Sequence, residues 1–237
     1  PLIYVNRPTH CACKMNKTLS SLLKPAVALA TMTLATVAAQ AQAPAGDIKA
    51  GESKAAMCIG CHGIPGYQNS FPEIHKVPKI QGQSDKYIAA ALHAYKKGDR
   101  KHPTMRGMAA SLNDQDIADL AAFYASQGLP AVAETPSRAA SGPVAELLTK
   151  GACVSCHGAN FSKPIDPSYP KLAGQHPDYL YVALKSYTVE GNQVVGRSNG
   201  VMAGVAKQFK LSELKQIANY LGSLEGEVQT KPESRFR

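Results

Sequence analysis

The chain has 237 residues, 44% of them hydrophobic, a composition that suits soluble globular protein and gives room for two small domains. Its formal charge of +9 is concentrated at the front: Arg7, Lys14, Lys17 and Lys24 precede residue 42 and no acid does, so 22 basic and 17 acidic residues, a balance of +5, remain for the rest. That modest balance, with no basic run and no aromatic-interleaved patch, excludes a nucleic-acid binder, while the scarcity of aromatics and the lack of Trp leave apolar bulk for a large bound ring to supply.

Residues 15–41 read as a secretory signal peptide. Met15-Asn16-Lys17 and Lys24 make a positive region, the run 26–39 is uncharged, and small residues crowd toward Ala39-Gln40-Ala41-Gln42-Ala43. Pro44 would hinder a cut after Ala43, so the cut is expected after Ala41. The apolar run is short of the roughly 20 residues that a membrane span needs. Residues 1–14 fit no part of such a signal and read as a spurious extension ahead of the true start.

A first domain is expected over 44–129. Residues 47–57 read as a short helix delivering Cys58-Ile59-Gly60-Cys61-His62. Two cysteines three positions apart, followed at once by histidine, form the attachment pattern of c-type haem. Each thiol can add to one of the two vinyl groups, and the adjoining His then lies under the iron as its proximal ligand. Pro78-Lys79-Ile80-Gln81-Gly82-Gln83 follows, then a helix over 84–97, Met105, and a last helix from about Asn113 to Gln127, capped by Asn113 and stopped at Gly128-Leu129-Pro130. Residues 130–142, rich in Ala, Pro and Ser, are a linker.

The second domain, 143–227, repeats this order. A helix over 144–152 leads to Cys153-Val154-Ser155-Cys156-His157, an offset of 95 residues from the first motif. Pro170-Lys171-Leu172-Ala173-Gly174-Gln175 answers the first Pro-Lys run at an offset of 92. Helices over 177–188 and 212–223 flank Met202, which matches Met105 at an offset of 97. The offset drifts by only a few residues, as loop insertions would produce. Nothing reads as a sustained strand, so the fold is expected to be all-α with long loops that pack on the bound ring.

Four of the six cysteines are used by the two motifs, and the other two, Cys11 and Cys13, fall in the leader. Paired disulfides or zinc would also use Cys-x-x-Cys, but neither explains the histidine after each pair. Two covalent haem c groups are therefore expected, on Cys58, Cys61, Cys153 and Cys156, with His62 and His157 as axial ligands. Met105 and Met202 are the expected sixth ligands, soft neutral thioethers that favour ferrous iron and leave no position for oxygen or peroxide. Met108 stands close to Met105 and is read as apolar packing, because Val205 occupies its place in the second copy; Met57 is read as core. Pro78 and Pro170 offer carbonyls to which the histidines can give their remaining N–H, though a plain turn would use proline equally. Tyr87, Tyr95, Tyr179 and Tyr187 are placed to reach haem propionates or to pack a helix face. His75, His93, His102 and His176 have no histidine counterpart and are read as surface or linker residues.

The order Cys-x-x-Cys-His, Pro-x-Leu/Ile-x-Gly, Met and a C-terminal helix ending in aromatics resembles a class I cytochrome c. The tandem form, with Pro-Lys-Leu-Ala-Gly-Gln-His-Pro-Asp-Tyr-Leu at 170–180 and Asn-Asp-Gln-Asp-Ile at 113–117, is similar to the dihaem cytochromes c4 over about residues 46–225. The resemblance implies a periplasmic electron carrier, often membrane-associated, with redox protein partners such as a membrane oxidase or a quinol-oxidising complex. It also implies that the proline carbonyls accept the histidine N–H bonds. The alternatives are the haem subunit of a dehydrogenase, or a dihaem enzyme such as a peroxidase or thiosulfate dehydrogenase. His102-Pro103-Thr104-Met105 departs from Ser198-Asn199-Gly200-Val201-Met202, so the two sites are not expected to have equal potentials.

Overall fold

The computed structural model describes residues 44–232; the leader 1–14 and the signal segment 15–41 lie outside them. The first half contains α1 (Ile48–Lys54), α2 (Ala56–His62), α3 (Asp85–Lys97), α4 (Pro103–Ala110) and α5 (Asp114–Ala125). The second contains α6 (Pro143–Lys150), α7 (Cys153–His157), α8 (Pro177–Ser186), α9 (Gly200–Ala206) and α10 (Leu211–Gly222). Sheet is confined, among the described residues, to two-residue pairs: β1 (Gln68–Asn69) with β2 (His75–Lys76), and β3 (Arg100–Lys101) with β4 (Gly196–Arg197).

The long helices form where apolar positions and caps coincide. In α5 the Asn113 side chain accepts the Asp116 N–H while the Asp116 carboxylate accepts that of Asn113, so two orphan donors are satisfied together. One stripe of α5 then buries Leu120, Phe123 and Tyr124 against Ala55, Ile59 and Ile88. In α10 the Glu213 carboxylate takes the Lys210 N–H, and Leu214, Ile217 and Leu221 join Leu147, Leu148, Phe161 and Leu180. Each half thus has its own apolar core.

Two features differ from the sequence reading. The single helix expected over 47–57 is divided at Ala55, which is fully buried and ends α1 while opening α2. The turn lets α1 lie against α5 while α2 aims the cysteine motif inward. The approach is so close that a Cβ on Gly51 would sit 2.1 Å from the Asp119 carbonyl oxygen, so only glycine fits there. The second difference is that each candidate methionine is carried on a short helix, α4 or α9, that hydrophobic period alone does not announce.

The two halves meet face to face. Strands β3 and β4 pair antiparallel across the boundary, Arg100 opposite Arg197. The hairpin β1–β2 lies on α8: the Asp178 carboxylate accepts the Lys76 N–H at 2.9 Å, and Lys185 pairs with Glu73 at 3.1 Å. After α10 the chain returns to the first half, where Glu227 accepts the Leu129 N–H and Gln229 donates its N–H to Gln81.

Candidate functional site

The cysteine motifs close α2 and α7, where the helical turn brings the two thiols to one side and the histidine below them. None of the four motif cysteines forms a disulfide, and no group of three or more His, Cys, Asp or Glu among the described residues is arranged to hold a metal ion. His62 and His157 are each only 8% exposed. Burial pushes both imidazoles below the ordinary histidine pKa, which keeps them neutral. His62 Nδ1 gives its proton to the Pro78 carbonyl at 2.8 Å, and His157 Nδ1 to that of Pro170 at 3.1 Å. In each ring the lone pair is therefore on Nε2, the state that a metal ligand requires.

One continuous cavity of about 640 Å³ runs through both halves and collects the residues that the sequence singles out. It is lined by Cys58, Cys61, His62, Pro78 and Met105, and by Cys153, Cys156, His157, Pro170 and Met202. Apolar side chains such as Ile88, Leu92, Leu120, Leu180, Leu184 and Leu214 form much of the wall. Met108 and Met57 are not in it. They are 39% and 55% exposed, so neither is the buried packing residue expected from sequence; both sit on helix faces turned to solvent.

At the floor of the cavity, between the halves, lie two arginines that sequence reading passed over. Arg100 donates to the Tyr87 hydroxyl at 2.7 Å and lies over the Tyr87 and Tyr95 rings; Arg197 donates to the Tyr179 hydroxyl at 3.1 Å and lies over Tyr179 and Tyr187. Burial pushes the Tyr87 phenol up to about 12, so it stays neutral beside its guanidinium. The signal was present in the repeat, since Arg100 and Arg197 match at the same offset of 97 as the methionines. Among the described residues, no aspartate or glutamate lines the cavity. A pocket with apolar walls, two cationic groups at its floor and no acid of its own fits a flat apolar ligand that brings carboxylates, as haem does.

Two of the unmatched histidines are not the surface or linker residues expected. His75 is 4% exposed, gives its Nδ1–H to the Glu73 carbonyl and faces the Tyr179 ring, because the β1–β2 hairpin is covered by α8. His102 is partly buried and caps α4, its Nδ1 accepting the Met105 N–H at 3.4 Å. His93 is exposed near Asp114, and His176 opens α8.

Together the fold and this cavity define a two-domain c-type cytochrome. A family model described as Cytochrome c matches residues 48–127 and again 143–225. A cytochrome c4 of Pseudomonas aeruginosa is 32% identical over 188 residues, spanning 76% of this chain and 90% of that relative. A thiosulfate dehydrogenase electron acceptor of Thiomonas intermedia is 29% identical over 200 residues, covering 81% of this chain and 89% of that protein. The crystal structure of reduced recombinant cytochrome c4 from Pseudomonas stutzeri superposes with a TM-score of 0.57 and 28% identity, over 76% of this chain and 100% of that one. The chain belongs to the cytochrome c family and, within it, to the dihaem cytochromes c4. It binds two covalent haem c groups, exchanges electrons with redox partners, and is an electron carrier, not an enzyme.

Proposed function

We propose that the mature protein is a periplasmic carrier that receives and passes on electrons one at a time, through two haems each held by a histidine and a methionine. The observation that carries this reading is the pairing of a neutral, proline-anchored histidine with a methionine in each half of one acid-free cavity. When bound, each haem supplies a one-electron ferric/ferrous couple at a high potential set by its thioether ligand.

The residues of the chain do the rest. Cys58, Cys61, Cys153 and Cys156 would hold the rings covalently, and the Pro78 and Pro170 carbonyls fix the His62 and His157 imidazoles. Met105 and Met202 would each supply a thioether ligand and so keep small ligands from the iron. Arg100 and Arg197, with their tyrosines, would supply donors for the haem carboxylates. The apolar wall excludes water.

Export by residues 15–41 with cleavage after Ala41, a domain organisation of 44–129, 130–142 and 143–227, and delivery of electrons to a membrane oxidase belong to the same proposal. No helix among the described residues is long and apolar enough to cross a membrane. A second reading, the electron-accepting partner of a periplasmic dehydrogenase, is favoured by the likeness to the thiosulfate dehydrogenase electron acceptor.

Intact mass under denaturing conditions tests the first part. The expected mass is that of a chain beginning at Gln42 with two added haems. Carbon monoxide binding to the reduced protein tests the axial ligands: slow, poor binding near neutral pH is expected at both haems, and rapid binding at either would overturn the His/Met assignment there. Stopped-flow reduction by a purified thiosulfate dehydrogenase, against oxidation by a membrane oxidase, separates the two partner readings.

A further inference from the structure

Each proximal histidine is bonded to a peptide group whose other end is held by the opposite domain. The Pro78–Lys79 peptide takes the His62 Nδ1–H on its carbonyl, at 2.8 Å, and gives its N–H to Gln175 Oε1, at 2.9 Å. The Pro170–Lys171 peptide takes the His157 Nδ1–H, at 3.1 Å, and gives its N–H to Gln83 Oε1, at 2.8 Å. Both glutamines complete a two-point clamp, since Gln175 Nε2 donates to the Lys79 carbonyl at 2.8 Å and Gln83 Nε2 to the Lys171 carbonyl at 3.0 Å.

The arrangement is reciprocal: Gln83 and Gln175 are repeat counterparts, as are Lys79 and Lys171, at an offset of 92. Both glutamines are only 4% exposed. Each Oε1 also accepts the N–H of the next residue, Ser84 or His176. Turning either amide over would set donors against donors, so the orientation is determined by the partners.

We propose that Gln175 tunes the haem of the first domain and Gln83 that of the second, each as a positioning residue acting in trans through one peptide group. This rests on His62 and His157 being the proximal ligands. Hydrogen bonds in a chain polarise one another. A peptide whose N–H is engaged presents a more negative carbonyl oxygen, and that oxygen draws harder on the imidazole N–H. The imidazole becomes a stronger donor to iron, which favours the ferric state and lowers the potential. Removing the distant amide should therefore raise the potential of the haem in the other domain.

The test is redox titration of the full-length haem-loaded protein carrying Gln175→Met or Gln83→Met, which keep the volume and lose the polar pair. Each substitution is made in the Met202→Leu and the Met105→Leu backgrounds, where only the other haem remains at high potential and is titrated alone. Gln175→Met is expected to raise the ferrous-to-ferric ratio of the first haem about threefold at fixed potential, or ~28 mV for one electron, and to move the second haem less. Gln83→Met is expected to do the converse.

Gln175→Glu retains an acceptor for the Lys79 N–H and should not raise the first haem, which covers the case in which the methionine variant fails to fold. In the ferrous Gln175→Met protein with both methionine ligands intact, exchange of the His62 Nδ1 proton should be faster than in the ferrous wild type, while that of His157 is unchanged. Shifts confined to the haem of the mutated domain, equal shifts at both haems, or none at all would overturn the inference alone. If the parent protein lacks the weak red-edge band of ferric sulfur-ligated haem, the axial assignment itself fails first.

Discussion

In the first domain the helix bearing Met105 opens on His102 and Pro103, and in the second the helix bearing Met202 opens on Asn199 and Gly200. The two caps are repeat counterparts and do the same work: each accepts the methionine's own backbone N–H, the imidazole at 3.4 Å and the amide at 2.9 Å. By contrast three pairs of residues at the boundary between the halves are unchanged between the copies: Pro78 and Pro170, Gln83 and Gln175, Arg100 and Arg197. Residues that two domains must share are constrained by both, because a change on one side leaves a buried donor or acceptor unpaired on the other. The caps His102 and Asn199 bond the methionine N–H of their own domain, and there the copies have diverged.

The largest expected effect breaks the likeness at the methionines. Met105→Leu should remove the thioether from the first haem and lower its ferrous-to-ferric ratio by about a hundredfold or more, leaving the second haem high. About half of the ferric sulfur–iron band should vanish, one of two such ligands being lost. Met202→Leu should give the mirror result. Met108→Leu, at an exposed position outside the cavity, should leave the band whole and change stability by less than about 0.5 kcal/mol. Loss of the band in Met108→Leu would overturn the choice of ligand.

A smaller effect separates two glycines that occupy equivalent turns. Gly82 has φ +82° and Gly174 φ +72°, so alanine is strained at both. At Gly82 a Cβ would also lie 2.4 Å from the Glu227 carbonyl oxygen and 2.4 Å from the Gly128 Cα, whereas at Gly174 the nearest atom is 3.2 Å away. Denaturant unfolding should show Gly82→Ala costing about 2 kcal/mol and Gly174→Ala about 1 kcal/mol. Equal costs would mean that the returning C-terminal segment yields easily.

The shared arginines should show the opposite of independence. Were a guanidinium to lie on the order of 10 Å from a bound iron, it would be worth ~1.7 kcal/mol to the reduced state in an effective dielectric of ~20. Arg100→Leu and Arg197→Leu should each lower both potentials, by about tenfold in the ferrous-to-ferric ratio at the nearer haem. A fall confined to one haem would place the two propionate sites apart.

The smallest difference lies in acid. Asp119 accepts the Asp47 N–H and bonds to Lys54 and Gln115, and these partners, the Asp47 N–H first, hold its carboxyl down at about 2. Its counterpart in the second domain is Gln216, and that of Lys54 is Thr149. Because the folded pKa is depressed, the stabilisation is complete above the unfolded value near 4 and is lost as pH falls toward 2. The first domain should therefore lose structure before the second on acidification, and Asp119→Asn should remove that part of its pH dependence.

The covalent sites, the helical class and the duplication could be read from sequence because each is a local pattern: a fixed Cys-x-x-Cys-His spacing, a 3.6-residue period, a run that recurs. The choice of Met105 over Met108 as the proposed ligand came from aligning it with the single methionine of the second copy, and Met105 lines the cavity while Met108 does not. The buried state of His75, the split at Ala55 and the exposed positions of Met57 and Met108 depend on which helix lies over which, and no local pattern carries that. Arg100 and Arg197 were in register all along. Their role needed the tertiary structure, since a charged residue in a chain is by default a solvated one, and only the meeting of two domains takes both guanidiniums out of water into a cavity with no acid. The same holds for Gln83 and Gln175, whose partners lie 88 and 96 residues away and become neighbours only when the second domain folds back onto the first.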